Sequence, residues 1–174
     1  NAEKFKKITR LGDINKVFNA IEKCLSLNMI PVKLNTVLLR GINDNEIGDF
    51  LKLTMDTPIQ VRFIELMPIG QGEKYFEKSN MNVEEILERH PELIKVKDVS
   101  KVASVYKLPG AEGTVGLISP VSCKFCSECN RIRLTATGTI KPCLHSAEEI
   151  NLRPYLNDEK KLIEVIEDTV YNKP

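Results

Sequence analysis

Four of the five cysteines lie close together in the second half of the sequence, at Cys123, Cys126, Cys129 and Cys143. Two residues separate the first cysteine from the second and the second from the third, and thirteen residues separate the third from the fourth. A two-residue gap lets a tight turn aim neighbouring sulfurs at one metal, and cytosolic proteins rarely use cysteines as disulfides. The spacing therefore predicts a metal centre. Four thiolates suit structural Zn²⁺, whereas three suit an iron–sulfur cluster that keeps one iron open.

Basic residues follow the third cysteine directly. Arg131 and Arg133 are two positions apart, so on a strand their side chains would point to the same side. Guanidinium groups make bidentate contacts with phosphate or carboxylate, and an anionic thiolate cluster is favoured by nearby positive charge. We expect a cluster site that also holds a phosphorylated ligand. A solvated basic strand face is the alternative.

Composition and charge exclude several classes of protein. The 174 residues include 25 Lys plus Arg against 24 Asp plus Glu, and 42% are apolar, which is too apolar and too nearly neutral for a disordered chain. The small net charge also argues against general binding to nucleic acid or to a membrane surface. The sequence has neither the roughly 18 consecutive apolar residues of a spanning helix nor a signal-peptide core. We therefore expect a cytoplasmic protein.

Two β-rich segments, residues 32–39 and 61–67, flank a segment with a helical apolar pattern. Asn43, with Glu46 three residues later, predicts a capping box at the start of that helix. Strand, helix and strand in this order indicate a βαβ unit with two parallel strands. The remaining patterns predict helices over 14–28, 82–89 and 158–171, strands over 102–108 and 114–118, and a hairpin of 131–136 with 139–141 that turns at Thr137–Gly138.

Polar residues interrupt both predicted parallel strands at Lys33, Asn35, Arg62 and Glu65. Buried parallel strands are usually continuous apolar runs, and a buried charge is costly unless it is paired or faces water. Two interpretations are open: internal ion pairs, or a barrel interior lined for a polar ligand. Because Arg62 and Glu65 are an odd number of residues apart, a regular strand directs them to opposite faces.

Several segments resemble the C-terminal half of the molybdenum cofactor biosynthesis protein A family of radical-SAM GTP 3′,8-cyclases. They are the 61–67 strand, the Gly41–Asp44 turn and the cysteine–arginine segment from Cys126 to Leu144. The resemblance implies an α/β fold in which residues 1–70 are the C-terminal part of an incomplete (βα)6 TIM-like barrel. Residues 71–174 would then form a small α+β domain that carries an iron–sulfur cluster and binds GTP.

The resemblance also implies roles for individual residues, although the catalytic residues are left unknown. In the complete enzyme, S-adenosylmethionine and two [4Fe–4S] clusters convert GTP to (8S)-3′,8-cyclo-7,8-dihydroguanosine 5′-triphosphate in molybdenum cofactor biosynthesis. The resemblance implies Cys126, Cys129 and Cys143 as ligands of the second cluster. It implies Met67 as a contact of S-adenosylmethionine, and as GTP contacts Lys33, Arg62, Arg131, Ile132 and Arg133.

The sequence departs from the family pattern in three respects. It has no Cys-x3-Cys-x2-Cys motif for the radical-generating cluster, no first barrel strands and no C-terminal Gly-Gly tail. We therefore expect a fragment that is inactive without the N-terminal half of the barrel; a homodimer is expected only of the complete protein. Cys123 is an additional thiol, either a fourth ligand that would favour Zn²⁺ or a bystander.

Two alternative functions remain open. The first is a different radical-SAM enzyme with an auxiliary cluster, and the second is a non-enzymatic zinc module that binds RNA. The near-neutral charge and the low aromatic content of 6% weaken the second alternative, so we expect no nucleic-acid partner and no membrane partner.

Overall fold

The computed structural model describes residues 1–96, 102–123, 126 and 129–173. The chain has a mixed α/β fold and forms two compact units, Asn1–Phe125 and Cys126–Pro174. The compact units thus divide at a different place from the predicted domain boundary, and the assignment of 1–70 and 71–174 as domains stays a prediction. Among the described residues, no helix is both long enough and apolar enough to cross a membrane.

The first unit contains a five-stranded mixed sheet with the strand order β1-β2-β5-β4-β3. Strands β1, β2 and β5 are parallel to one another, and β4 is antiparallel to both β5 and β3. The predicted parallel pair is confirmed, and strands later in the chain extend the same sheet. The strands are β1 Lys33–Leu38, β2 Gln60–Glu65, β3 Ile94–Lys95, β4 Ser104–Lys107 and β5 Thr114–Ile118, and the helices are α1 Ala2–Thr9, α2 Ile14–Ser26, α3 Ile47–Lys52, α4 Glu73–Ser79 and α5 Glu85–Arg89.

Side-chain hydrogen bonds explain where α2 begins and how the chain turns after β1. The Asp13 carboxylate accepts a hydrogen bond from the Asn15 N–H at 3.0 Å and so caps α2. The predicted capping box at Asn43 is wrong, because this side chain makes no cap bond. Its amide instead donates to the Val37 carbonyl at 2.9 Å and accepts from the Leu39 N–H at 2.8 Å. Asn43 therefore closes the turn that follows β1, and a 3₁₀ turn precedes α3.

The main apolar core lies against one face of this sheet. Phe63 in β2 is fully buried, and the Phe50 ring of α3 packs edge-on against it with centroids 5.8 Å apart. Helices α3 and α5 contribute further buried side chains. The residues of this core are Leu38, Ile47, Leu51, Ile59, Val61, Phe63, Met81, Val83, Ile86, Leu93, Val115 and Leu117. Because neighbouring strand residues alternate between faces, the opposite face of β1 and β2 carries the intervening residues.

The second unit has a three-stranded antiparallel sheet, β6 Arg133–Leu134, β7 Thr139–Lys141 and β8 Ile150–Asn151, followed by α6 Glu159–Tyr171. Gly138 has a φ of 78°, which supports the predicted hairpin turn. Strand β6 is shorter than predicted and excludes Arg131. The Arg131 carbonyl accepts a hydrogen bond from the Lys173 ammonium at 2.9 Å, so it is engaged by a side chain and not by a strand ladder.

Candidate functional site

The first unit presents four polar side chains on the sheet face opposite the core. Lys33 is in register with Gln60, and Asn35 is in register with Arg62. We call these four residues the open face, since Lys33 and Asn35 are exposed and Gln60 and Arg62 are half-buried. In the described part of the chain, neither Lys33 nor Arg62 forms an ion pair with a carboxylate. An anionic ligand could therefore bind these two cations without displacing a carboxylate partner among the described residues.

Gly116 in β5 provides space beside Arg62, its partner in the parallel register. A Cβ atom at position 116 would lie 3.2 Å from Cγ of Arg62, closer than an ordinary van der Waals contact. The glycine thus lets the Arg62 side chain lie across the neighbouring strand. Sequence reasoning missed Gly116, although a glycine within a β-rich segment does indicate a close approach by another group.

Glu65 lies on the opposite face from Arg62, as the odd separation predicts. It is 2% exposed, and one carboxylate oxygen accepts the N–H groups of Val121 and Ser122 at 3.0 and 2.9 Å. The other oxygen accepts the Ser122 hydroxyl. Among the described residues, the hydrogen-bond donors to this buried carboxylate are therefore backbone N–H groups and a hydroxyl, and not an arginine or a lysine. Glu65 anchors the segment that leads into Cys123, a role that the sequence did not indicate.

Met67 comes two residues after the end of β2 and is half-buried. The carboxyl ends of parallel strands are where α/β sheets usually bind ligands, because loops there leave a crevice. The position of Met67 is therefore compatible with a ligand contact at this end of the sheet.

In the second unit, the hairpin places two cysteines at one end. Arg133 is in register with Lys141, so the start of β6 and the end of β7 lie side by side. Cys129 precedes β6, and Cys143 follows β7 by two residues. Cys126 is joined to this arrangement by a local turn in which the Cys129 N–H donates to the Cys126 carbonyl at 3.1 Å. Cys129 and Cys143, which are fourteen positions apart in the sequence, thus lie towards the same end of one hairpin.

The same hairpin end carries an unfavourable pair of positive charges. Arg133 and Lys141 are directly opposite each other, and like charges at such positions destabilise a sheet. The Glu149 carboxylate, 3.9 Å from the Lys141 ammonium, offsets part of this repulsion. Arg131 and Ile132 are exposed just before β6, where strand alternation does not set the direction of Arg131. An arrangement of this kind favours binding of an anion.

Cys129 has the surroundings of a metal-binding thiol. A hydrogen bond from the Arg131 backbone N–H lowers the pKa of the Cys129 thiol; burial opposes this, and the Lys173 ammonium and the Arg131 guanidinium act in the lowering direction. Thiolates are the donors that iron–sulfur clusters and zinc require, so the donor chemistry of these cysteines fits such a group. The described residues contain no ready group of three or more Cys, His, Asp or Glu ligands.

Comparison with known proteins gives consistent results. Residues 59–174 match the family described as Molybdenum Cofactor Synthesis C. Over 173 residues the chain is 55% identical to a "GTP 3′,8-cyclase" from Clostridium botulinum strain Okra and 50% identical to one from Clostridium acetobutylicum, covering 99% of this chain and 54% of each relative. A "GTP 3′,8-cyclase" from Alkaliphilus oremlandii is 47% identical over 176 residues, which cover 100% of this chain and 55% of the relative. The chain thus spans about half the length of the curated relatives it matches.

Proposed function

This chain belongs to the Molybdenum Cofactor Synthesis C family, and we propose that it supplies the GTP-binding part and one iron–sulfur cluster of a GTP 3′,8-cyclase. The observation behind this proposal is the hairpin of the second unit. Its register leads Cys129 and Cys143 to one end and sets Arg133 beside Lys141 at that same end. Thiolate ligands and an excess of positive charge are the two requirements of a cluster that binds next to a triphosphate.

The proposed ligands of the [4Fe–4S] cluster are Cys126, Cys129 and Cys143. When bound, a cluster with three thiolate ligands supplies one iron that can accept a ligand atom from the substrate. The hydrogen bond from the Arg131 N–H to the Cys129 sulfur favours the thiolate that such a ligand requires. Cys123 is left outside the ligand set, and the turn in which it lies is instead anchored by Glu65.

The proposed GTP contacts fall into one group in each unit. In the second unit, Arg131 and Arg133 would bind phosphate or base oxygens through their guanidinium groups, with a backbone contact at Ile132. In the first unit, the proposed contacts are Lys33 and Arg62 of the open face. Lys33 is exposed and Arg62 is half-buried, and neither has a carboxylate partner among the described residues, which supports this assignment.

The proposal also includes a barrel fold for residues 1–70 and S-adenosylmethionine as a second substrate. Among the described strands, β1 pairs with β2 alone, so its other edge is available for a further strand. Helix α2 exposes Val17 and Phe18, which are 41% and 42% accessible. Both features are compatible with residues 1–70 being the end of an incomplete (βα)6 barrel. The other strands of the barrel would come from the part of the relatives that this chain does not cover. Residues 71–174 would form the cluster domain, Met67 would contact S-adenosylmethionine, and the complete protein would be a homodimer.

Metal analysis of the anaerobically purified chain tests the cluster. Iron with acid-labile sulfide is expected, whereas stoichiometric zinc without sulfide would overturn the assignment. Cys143→Ser should lose the iron, because it removes a ligand. Cys123→Ser is the matched control, since it makes the same change at an exposed thiol outside the proposed ligand set and should retain the iron. Equal iron loss in both variants would make Cys123 a fourth ligand.

Titration of the chain with GTP tests the nucleotide site. Arg131→Ala and Arg133→Ala should each raise the Kd for GTP by about tenfold or more, because each removes charge-assisted hydrogen bonds to the nucleotide. Arg153→Ala removes the same charge from an exposed position in the same unit and should change the Kd little. Equal increases in the Kd for GTP in the three variants would mean that GTP is held only by nonspecific attraction to positive charge. We also propose that this chain alone does not cyclise GTP under anaerobic reducing conditions.

A further inference from the structure

Lys173 makes two hydrogen bonds to the segment that contains a proposed cluster ligand and a proposed GTP contact. Its ammonium donates to the Cys129 carbonyl at 2.7 Å and to the Arg131 carbonyl at 2.9 Å. The three residues belong to the same compact unit, and Lys173 is half-buried. A flexible lysine loses side-chain entropy when it is held in this way, so the interaction must stabilise the segment it holds.

Helix α6 determines where Lys173 lies. Asp158 caps the start of the helix, and its last turn is closed by Asn172, whose N–H donates to the Asp168 carbonyl at 2.9 Å. The Asn172 side-chain amide also donates to the Asp168 carboxylate at 2.8 Å. Lys173 follows this double cap directly, so its backbone is placed by the end of a regular helix. The lysine thus connects α6 to the loop between Cys129 and Arg131.

Both hydrogen bonds of Lys173 go to backbone carbonyls of that loop, so they restrain its backbone conformation. Carbonyls at positions 129 and 131 converge on one nitrogen, which restricts the torsion angles of the residue between them. The Cys129 sulfur and the Arg131 side chain both leave from this restricted stretch. The ammonium also places a positive charge near a thiol that would be an anion when it binds iron.

We propose that Lys173 is a positioning residue that holds the Cys129–Arg131 backbone, so that the cluster-ligand thiol and the GTP-binding guanidinium are oriented together. Its effect on ligands rests on the proposed function, whereas its effect on the backbone does not. Lys173 therefore contributes to the site without contacting the reacting atoms.

The test compares Lys173→Met, Lys173→Arg and Lys160→Met. Methionine keeps most of the length of the lysine side chain but removes the charge and the donors, and Lys160 is an exposed lysine in α6, the helix that precedes Lys173. Amide hydrogen exchange of residues 129–131 should accelerate by about tenfold or more in Lys173→Met, since hydrogen bonds to a charged group restrain this segment. The Kd for GTP should rise by about tenfold, and the electron paramagnetic resonance spectrum of the reduced chain should change. Lys173→Arg should restore most of each property, and Lys160→Met should match the wild type.

Two results would overturn the proposal. Unchanged exchange at 129–131 in Lys173→Met would mean that the lysine does not hold the backbone. Faster exchange with an unaltered Kd and an unaltered spectrum would mean that Lys173 stabilises the loop without orienting the site. If the wild-type chain itself binds neither GTP nor iron, the proposed function fails, and hydrogen exchange alone then decides whether Lys173 holds the backbone.

Discussion

Removing the Glu65 carboxylate should destabilise the first unit substantially. In Glu65→Ala, the N–H groups of Val121 and Ser122 lose the oxygen that accepts them both, at 3.0 and 2.9 Å. Val121 is half-buried and Ser122 is exposed, so water can replace part of the lost acceptor. A donor that loses its acceptor costs about 1–3 kcal/mol when it is fully buried, so two partly exposed donors predict a loss of about 2–3 kcal/mol in the free energy of unfolding. The Ser122 hydroxyl can rotate to another acceptor and adds little. This loss is a large part of the about 5–15 kcal/mol that stabilises a typical domain.

Glu65→Gln should cost less, because the geometry of the contacts differs between the two carboxylate oxygens. Both backbone N–H groups bind the same oxygen, and the glutamine carbonyl can take that position. The glutamine NH₂ would then face the Ser122 hydroxyl, which can turn to accept it. Only the charge assistance of the hydrogen bonds is lost, so we expect a destabilisation of about 1 kcal/mol.

Urea unfolding followed by circular dichroism measures these differences. Glu77→Ala, an exposed substitution in α4, is the control and should stay within about 0.5 kcal/mol of the wild type. The expected order of destabilisation is Glu65→Ala, then Glu65→Gln, then the control. If Glu65→Ala unfolds at the same urea concentration as Glu77→Ala, the hydrogen bonds to the 121–122 segment do not stabilise the fold and the reasoning is refuted.

Four further substitutions, one of them a control, test other parts of the first unit by the same urea experiment. Asn43→Ala should cost about 1–3 kcal/mol, because it leaves the Val37 carbonyl and the Leu39 N–H without their partner; a near-neutral effect would contradict the role of Asn43 in the turn. Gly113→Ala should destabilise by about 1–3 kcal/mol, since its Cβ would lie 2.1 Å from the Ile59 carbonyl oxygen. Gly48→Ala has no atom within 4 Å and should be neutral or stabilising, so equal losses in the two glycine variants would refute the steric argument. Asp13→Ala should lose about 1 kcal/mol with the cap of α2, and an unchanged midpoint would show that the cap is dispensable.

Much of the secondary structure could be predicted from the sequence, because short-range patterns determine it. β-branched and apolar residues bounded by proline and glycine identified β1 and β2, and strand parity alone placed Arg62 and Glu65 on opposite faces. The capping box at Asn43 was predicted wrongly because the amide bonds to the Val37 carbonyl and the Leu39 N–H at the end of β1 and not to the start of the helix. Strand β6 was predicted too long, and at its start the Arg131 carbonyl accepts a hydrogen bond from the Lys173 side chain, which local patterns do not indicate.

In the candidate site, too, some features depend on local sequence and others on long-range contacts. The sequence by itself determined the chemistry: the spacing of thiols, the arginines that follow them, and the polar residues within two strands. Only the tertiary structure decided which groups meet. Glu65 binds an N–H group 56 residues away, Lys173 binds a carbonyl 44 residues away, and Gly116 makes room for Arg62 from a strand that the local pattern could not order. Side-chain type and strand parity are local properties of a chain, whereas a hydrogen-bond partner at such separations depends on the path that the whole chain takes.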